Sequence, residues 1–221
     1  PFRFGPRHSC VAARSTAGMR LVLQRVTEAS VTVDGKVVGS IGRGLVALCG
    51  IHEVDDAAAS EWAAKKISNT RLWEADGKAW ASSASQNKFG VLLVSQFTLL
   101  ASLKGNKPDF HHAMGPDRAK AFWEAFVRRV ASVHSGPVET GIFGAKMDVR
   151  LCNDGPVTLV LDSPEAAPPG ANHPPGTLAG AARPAGSPAP MLPFAPPASA
   201  AGALDIVPWQ YAMQSQLRGL C

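Results

Sequence analysis

A residue without a backbone N–H cannot donate to a sheet ladder, and its ring breaks helices, so crowded prolines exclude regular structure. In this chain of 221 residues, twelve of the 18 prolines lie after Ser163. The stretch 164–221 is rich in proline and alanine and carries only four charged residues, Glu165, Arg183, Asp205 and Arg218. It cannot bury enough apolar surface to offset its ordering entropy, and is expected to be a mostly disordered tail. Within it, Ile206 to Met213 holds the only tyrosine and is the one segment expected to dock on the domain or on a partner. A folded domain is therefore expected over 19–163.

Residues 1–18 contain Arg3, Arg7 and Arg14 and no acid. That composition fits the remnant of an organelle transit peptide, and equally an upstream read-through before a start at Met19. The expected compartment is the cytoplasm, or a plastid or mitochondrion if the leader is such a remnant. The leader also accounts for most of the formal charge of +5, because residues 19–163 hold 17 Lys+Arg against 15 Asp+Glu. Global charge thus gives no argument for nucleic acid, and an RNA-facing patch has to come from local clustering. Cys10, Cys49, Cys152 and Cys221 have no metal-binding spacing and fit a reducing compartment. No apolar run approaches the ~20 residues that span a bilayer, so no membrane partner is expected.

From Met19 the pattern is strand-like. Leu21, Leu23, Val26, Val31 and Val33 precede Asp34-Gly35, a hairpin signal, and Val37-Val38 follow. Leu45 to Cys49 and Val91 to Val94 read as short buried strands, and Leu72-Trp73 as a strand turned by Asp76-Gly77. A first helix follows the capping residues Asp55-Asp56, with Ala58, Trp62, Ala63 and Ile67 on its apolar stripe. A second opens with Pro116 in its first turn, and its stripe runs through Ala119, Phe122, Trp123, Phe126, Val127, Val130 and Val133. Two last strands, Asp148 to Cys152 and Val157 to Leu161, flank a Gly155-Pro156 turn. Mostly antiparallel strands with two main helices make an α+β domain.

Side-chain chemistry is sparse. Ser95 and Thr98 are hydroxyls at the end of a buried strand, and His52, His111, His112 and His134 are the available bases, yet no nucleophile-elbow motif is present. Thr98 reads either as a nucleophile or as a strand-end hydroxyl bonded to nearby backbone. Adjacent His111 and His112 point in different directions on any regular element, which argues against joint metal ligation. No metal and no cofactor is expected.

Five short motifs in fixed order carry a likeness to a known family: Gln24-Arg25-Val26, Ser95-Gln96-Phe97-Thr98-Leu99, Lys104 to Phe110, Gly141 to Met147, and Asn153-Asp154-Gly155-Pro156-Val157-Thr158. Together they resemble the D-aminoacyl-tRNA deacylases over roughly Met19 to Ser163. The resemblance implies a barrel-like sheet and a homodimer whose active site is shared between subunits. It implies hydrolysis of the ester of D-aminoacyl-tRNA, with glycyl-tRNA on a non-cognate tRNA as a second substrate, and assistance from the 2′-OH of the RNA. On that likeness Gly155 and Pro156, joined by a cis bond, enter the partner's pocket, and their carbonyls capture the substrate amino group. Ser95, Gln96, Phe97 and Thr98 shape that pocket. Arg25 holds the Gly-Pro pair with Asn153 beside it, and Phe110, Ala113, Met114, Phe143 and Met147 are candidates to receive the terminal adenosine. Lys104, Lys107, Arg128, Arg129 and Lys146 are candidates for phosphate contacts. The alternative from another class is a dimeric scaffold that recruits partners through its C-terminal tail.

Overall fold

A computed structural model of the chain describes residues 18–164. The transit-peptide and tail-docking expectations fall on residues outside that range.

The two uninterrupted apolar runs explain the architecture. Strand β3 (Gly44–Gly50) and β6 (Gly90–Ser95) lie side by side, and successive residues feed opposite cores. Leu45, Ala47, Cys49, Val91 and Leu93 pack against the helices, while Val46, Leu92 and Val94 fill the concave interior of the sheet. A strand buried on both faces needs no polar alternation. The first strand, β1 (Arg20–Val33), serves both cores in turn. Leu21 and Leu23 face the helices, whereas Val26, Ala29 and Val31 belong to the interior. The switch occurs where the register against the last strand shifts, and such bulges bend a sheet.

The main sheet has the order β10-β1-β3-β6-β9, where β9 is Val138–Thr140 and β10 is Asp148–Asp162; β2 (Lys36–Ile41) pairs with the distal half of β1. The hairpin at Asp34-Gly35 forms as the sequence indicates, with φ of 49° and 75°. Curling brings β9 back to β2, so close that a Cβ on Gly39 would sit 2.5 Å from the Thr140 oxygen. The sheet is thus nearly closed. It is also mixed, because β3–β6 and β6–β9 are parallel. The reason lies in the connections: a helix-bearing crossover returns the chain in the same direction, where a tight hairpin would reverse it.

Helix α1 (Ala57–Asn69) is capped by Asp56, whose carboxylate accepts from the Ala58 and Ala59 N–H groups at 2.9 and 3.0 Å. Its buried face is Ala59, Ser60, Ala63, Ala64, Ile67 and Ser68, so Ala58 lies outside the expected stripe. Helix α2 (Pro116–Val133) starts on Pro116 and buries Ala119, Trp123, Phe126 and Val130. Val133, expected on that stripe, is the last residue of the helix and is exposed. Two small hairpins lie outside the main sheet: β4 (Arg71–Ala75) with β5 (Lys78–Ser83), whose Leu72 and Trp73 join the helical core, and β7 (Ser102–Lys104) with β8 (Lys107–Asp109). Among the described residues, no helix is long and apolar enough to cross a membrane.

Candidate active site

At the end of β6, Ser95 still pairs with Cys49, and the Gln96 N–H donates to the Cys49 oxygen at 2.8 Å. The chain then tightens into a 3-10 turn, Phe97–Leu100, with Leu99 N–H on the Gln96 oxygen and Ala101 N–H on the Thr98 oxygen. Gln96 Nε2 donates to Thr98 Oγ1 at 2.5 Å. The Thr98 hydroxyl is therefore held by an amide. Among the described residues no histidine or carboxylate hydrogen-bonds it, so the relay that would make it a nucleophile is not assembled.

Phe97 meets Phe110 edge to face, with ring centroids 5.0 Å apart. The loop that carries Phe110 is tied to the end of β3: Glu53 N–H donates to His112 O and Met114 N–H to Ile51 O, both at 2.9 Å, and His52 bridges to Ala113. Ala113 and Met114, at the end of this loop, are buried, and Met114 belongs to the helical core. Lys104 and His111 both grip the Asp109 carboxylate, and Lys104 chiefly holds its pKa well below the usual range. The structure thus brings Ser95, Gln96, Phe97, Thr98, Phe110 and Ala113 to one strand end. Phe143 and Met147 go elsewhere. Phe143 packs on the helical core near Trp123, whereas Met147 packs on the interior core, its sulfur over Gly141.

The histidines make other contacts. His134 Nε2 is 2.8 Å from the Phe89 oxygen. His52 stacks on His112, which in turn lies against His111, and burial followed by the His112 charge lowers the His52 pKa. Beside them Asp55 accepts the His52 N–H at 2.7 Å, and burial pushes its pKa up to about 6. Among the described residues no group of histidine, cysteine and acid side chains is arranged to hold a metal ion.

The Gly-Pro element is not a hairpin turn. The expected pair of strands is one strand, β10, which runs antiparallel to β1 on both sides of the motif. Gln24 faces Thr158 and Val26 faces Asn153, so a single β1 residue, Arg25, stands opposite the four residues Asp154 to Val157. The surplus is extruded from the ladder. The Gly155-Pro156 bond is cis, and Gly155 has φ of +117°, where a Cβ would lie 2.8 Å from Val157 Cγ2 and 3.1 Å from Arg25 Nη2. Only glycine fits that backbone. Arg25 holds the base of the protrusion, with Nε on the Asp154 oxygen at 3.2 Å and Nη1 on the Leu72 oxygen at 2.5 Å.

Three further residues act on these segments: Asp154, Arg43 and Arg20. Asp154 stands inside a motif already marked, one position from Gly155, so its neighbourhood was a signal. Arg20 and Arg43 carry none, being cations at strand ends whose partners are 79 to 142 residues away.

The family profile described as "D-Tyr-tRNA(Tyr) deacylase" matches residues 22–162. The chain belongs to this family. All five motifs fall within the matched span. The chain is 48% identical over 146 residues to the D-aminoacyl-tRNA deacylase of Opitutus terrae, a match covering 66% of this chain and 97% of that protein. It is 46% identical to the Dictyostelium discoideum deacylase, covering 66% and 99%. Among solved structures it is similar to the c-Myc DNA Unwinding Element Binding Protein, at 44% identity and a TM-score of 0.63, over 66% of this chain and 99% of that one. A probable eukaryotic D-amino acid tRNA deacylase matches at 19% identity with a TM-score of 0.58, a likeness of fold.

Proposed function

We propose that the chain hydrolyses the ester between a D-amino acid and tRNA, releasing free tRNA and the amino acid, and that it does so as a homodimer. Glycine, which has no side chain to reject, is the second substrate. Family membership supports the reaction. One observation supports the division of labour between subunits. Arg25, which holds the Gly-Pro protrusion, pairs with Leu45 near the start of β3, whereas Ser95 pairs with Cys49 near its end. Four residues of strand separate them, about 13 Å at ~3.3 Å per residue. The protrusion of one chain is thus displaced from that chain's own Gln96–Thr98 turn, and a second copy supplies the missing half.

In this reading the ester lies against Ser95, Gln96, Phe97 and Thr98, with the terminal adenosine beside Phe110. The partner's Gly155 and Pro156 carbonyls accept from the substrate ammonium and fix its α-carbon. A D side chain then points to free space, and an L side chain meets main chain. Water adds to the ester carbonyl, the carbon–oxygen bond to the ribose breaks, and the proton ends on the ribose oxygen, aided by the neighbouring 2′-OH. In this reading the second N–H of the Gln96 amide, beside the one on Thr98, donates to the developing oxyanion. Positioning rather than a side-chain nucleophile carries the rate. The Thr98 hydroxyl held by an amide supports that view. Incubation with matched D- and L-aminoacyl-tRNA tests it. Rapid release of the D-amino acid with the L-ester spared is expected; equal rates, or no release of the D-amino acid, refute the assignment.

A further inference from the structure

The extruded segment has lost its ladder bonds to β1, so its position rests on side chains. Asp154, at its base, is where those side chains converge. Arg25 Nη2 donates to Asp154 Oδ1 at 3.3 Å, and Arg25 Nε lies 3.3 Å from Oδ2. From the turn between β2 and β3, Arg43 Nη2 donates to the same Oδ2 at 3.4 Å. Arg43 is in turn seated over the Phe89 ring, 5.6 Å from its centroid. One carboxylate therefore bridges two guanidinium groups, and each is anchored to a further element. Arg25 is anchored through the Leu72 oxygen of the β4–β5 hairpin, Arg43 through Phe89 ahead of β6.

We infer that Asp154 and Arg43 are positioning residues that set how far the Gly155 and Pro156 carbonyls reach into the partner's pocket, and so set the ratio of D to L hydrolysis. The inference rests on the function proposed above. Arg25 on its own holds the protrusion from one side: its bonds to the Asp154 main chain and to Leu72 define a hinge about which the segment can swing. The Arg43 bond adds a second, separate point, and two points fix a direction. The carboxylate is 21% exposed and Arg25 18%, so the pair is shielded from water. Arg43 is 59% exposed, and its removal opens no cavity. A bland role, in which Asp154 only neutralises the half-buried Arg25, would change stability and leave chiral selectivity untouched.

The full chain with Asp154→Asn keeps the shape and loses the charge that holds Arg43; Arg43→Ala leaves the Arg25 contacts in place. Thermal unfolding and sizing establish that each is folded and paired, and kcat/KM is then measured on matched D- and L-aminoacyl-tRNA. Asp154→Asn is expected to lower the D/L ratio at least tenfold, with kcat for the D-ester falling more than KM rises and the L rate increasing. Arg43→Ala is expected to lower the ratio about threefold. Where Asp154→Asn does not fold, Arg43→Ala decides. An unchanged ratio, including a parallel loss of both rates, overturns the inference. A wild-type protein without chiral preference overturns the proposed function itself, and is recognised before any variant is made.

Discussion

Arg20 Nη1 donates to the main-chain oxygen of Leu99 at 3.1 Å. The same guanidinium holds Asp162 through Nε at 2.6 Å and Nη2 at 3.3 Å. One side chain thereby ties the last residue of β10 to the 3-10 turn that carries Thr98. The rigid fork of donors suits arginine and no other residue.

Arg20→Met keeps the stem against the sheet and removes the fork. We expect a loss of about 1–2 kcal/mol in urea unfolding, the scale of a part-buried charged hydrogen-bond set. A drop in kcat/KM of several-fold on D-aminoacyl-tRNA accompanies it, because the turn is no longer pinned at Leu99. Full activity in a destabilised variant would show that the contact serves the fold alone.

Thr98→Ala removes the hydroxyl that Gln96 holds. If positioning carries the reaction, single-turnover hydrolysis falls less than about tenfold. Loss of a nucleophile costs on the order of 10⁴ or more. A drop of that size in a folded, paired protein would make Thr98 the attacking group.

Asp55 gives stability a pH dependence whose sign can be worked out. Its folded-state pKa of about 6 stands above its usual 3.8. Between those values the folded protein binds more protons than the unfolded chain, so this contribution to stability falls as pH rises through the window and is level above it. Asp109, whose pKa is depressed by Lys104 and then His111, acts in the opposite sense at lower pH. Asp55→Asn removes the first slope. Relative to wild type, its stability should improve by about 2–3 kcal/mol from pH 4 to pH 7. Denaturation curves at four pH values check this, and parallel curves would contradict it.

The elements legible in the sequence are those set by local patterns. Asp34-Gly35 makes its hairpin, Asp56 caps α1 and Pro116 opens α2, because turn and cap chemistry depends on near neighbours. What local pattern left hidden was direction and pairing. An apolar run such as Val91 to Val94 looks alike in a parallel or an antiparallel sheet, so the mixed order of β3, β6 and β9 was not visible. Gly155-Pro156 between two apolar runs looks like a hairpin. Only the pairing of both runs with β1 shows it to be a bulge. In the site, the two main motifs stood out by their resemblance to the deacylase family, whereas the Asp154–Arg43 and Arg20–Leu99 contacts join segments 111 and 79 residues apart.

The central claim is that the carbonyls that read chirality come from one subunit and the ester pocket from the other. Gly155→Ala introduces a Cβ at φ of +117° and spoils the protrusion, while Gln96→Trp fills the pocket. Each variant alone is expected to be inactive. Mixed in equal amounts and allowed to exchange subunits, they form dimers in which half of the mixed species' sites pair a sound pocket with a sound protrusion. Deacylation of D-aminoacyl-tRNA should then recover to roughly a quarter of the wild-type rate. If the mixture stays as inactive as its parts after exchange has been verified, the site is built within a single chain and the account is wrong.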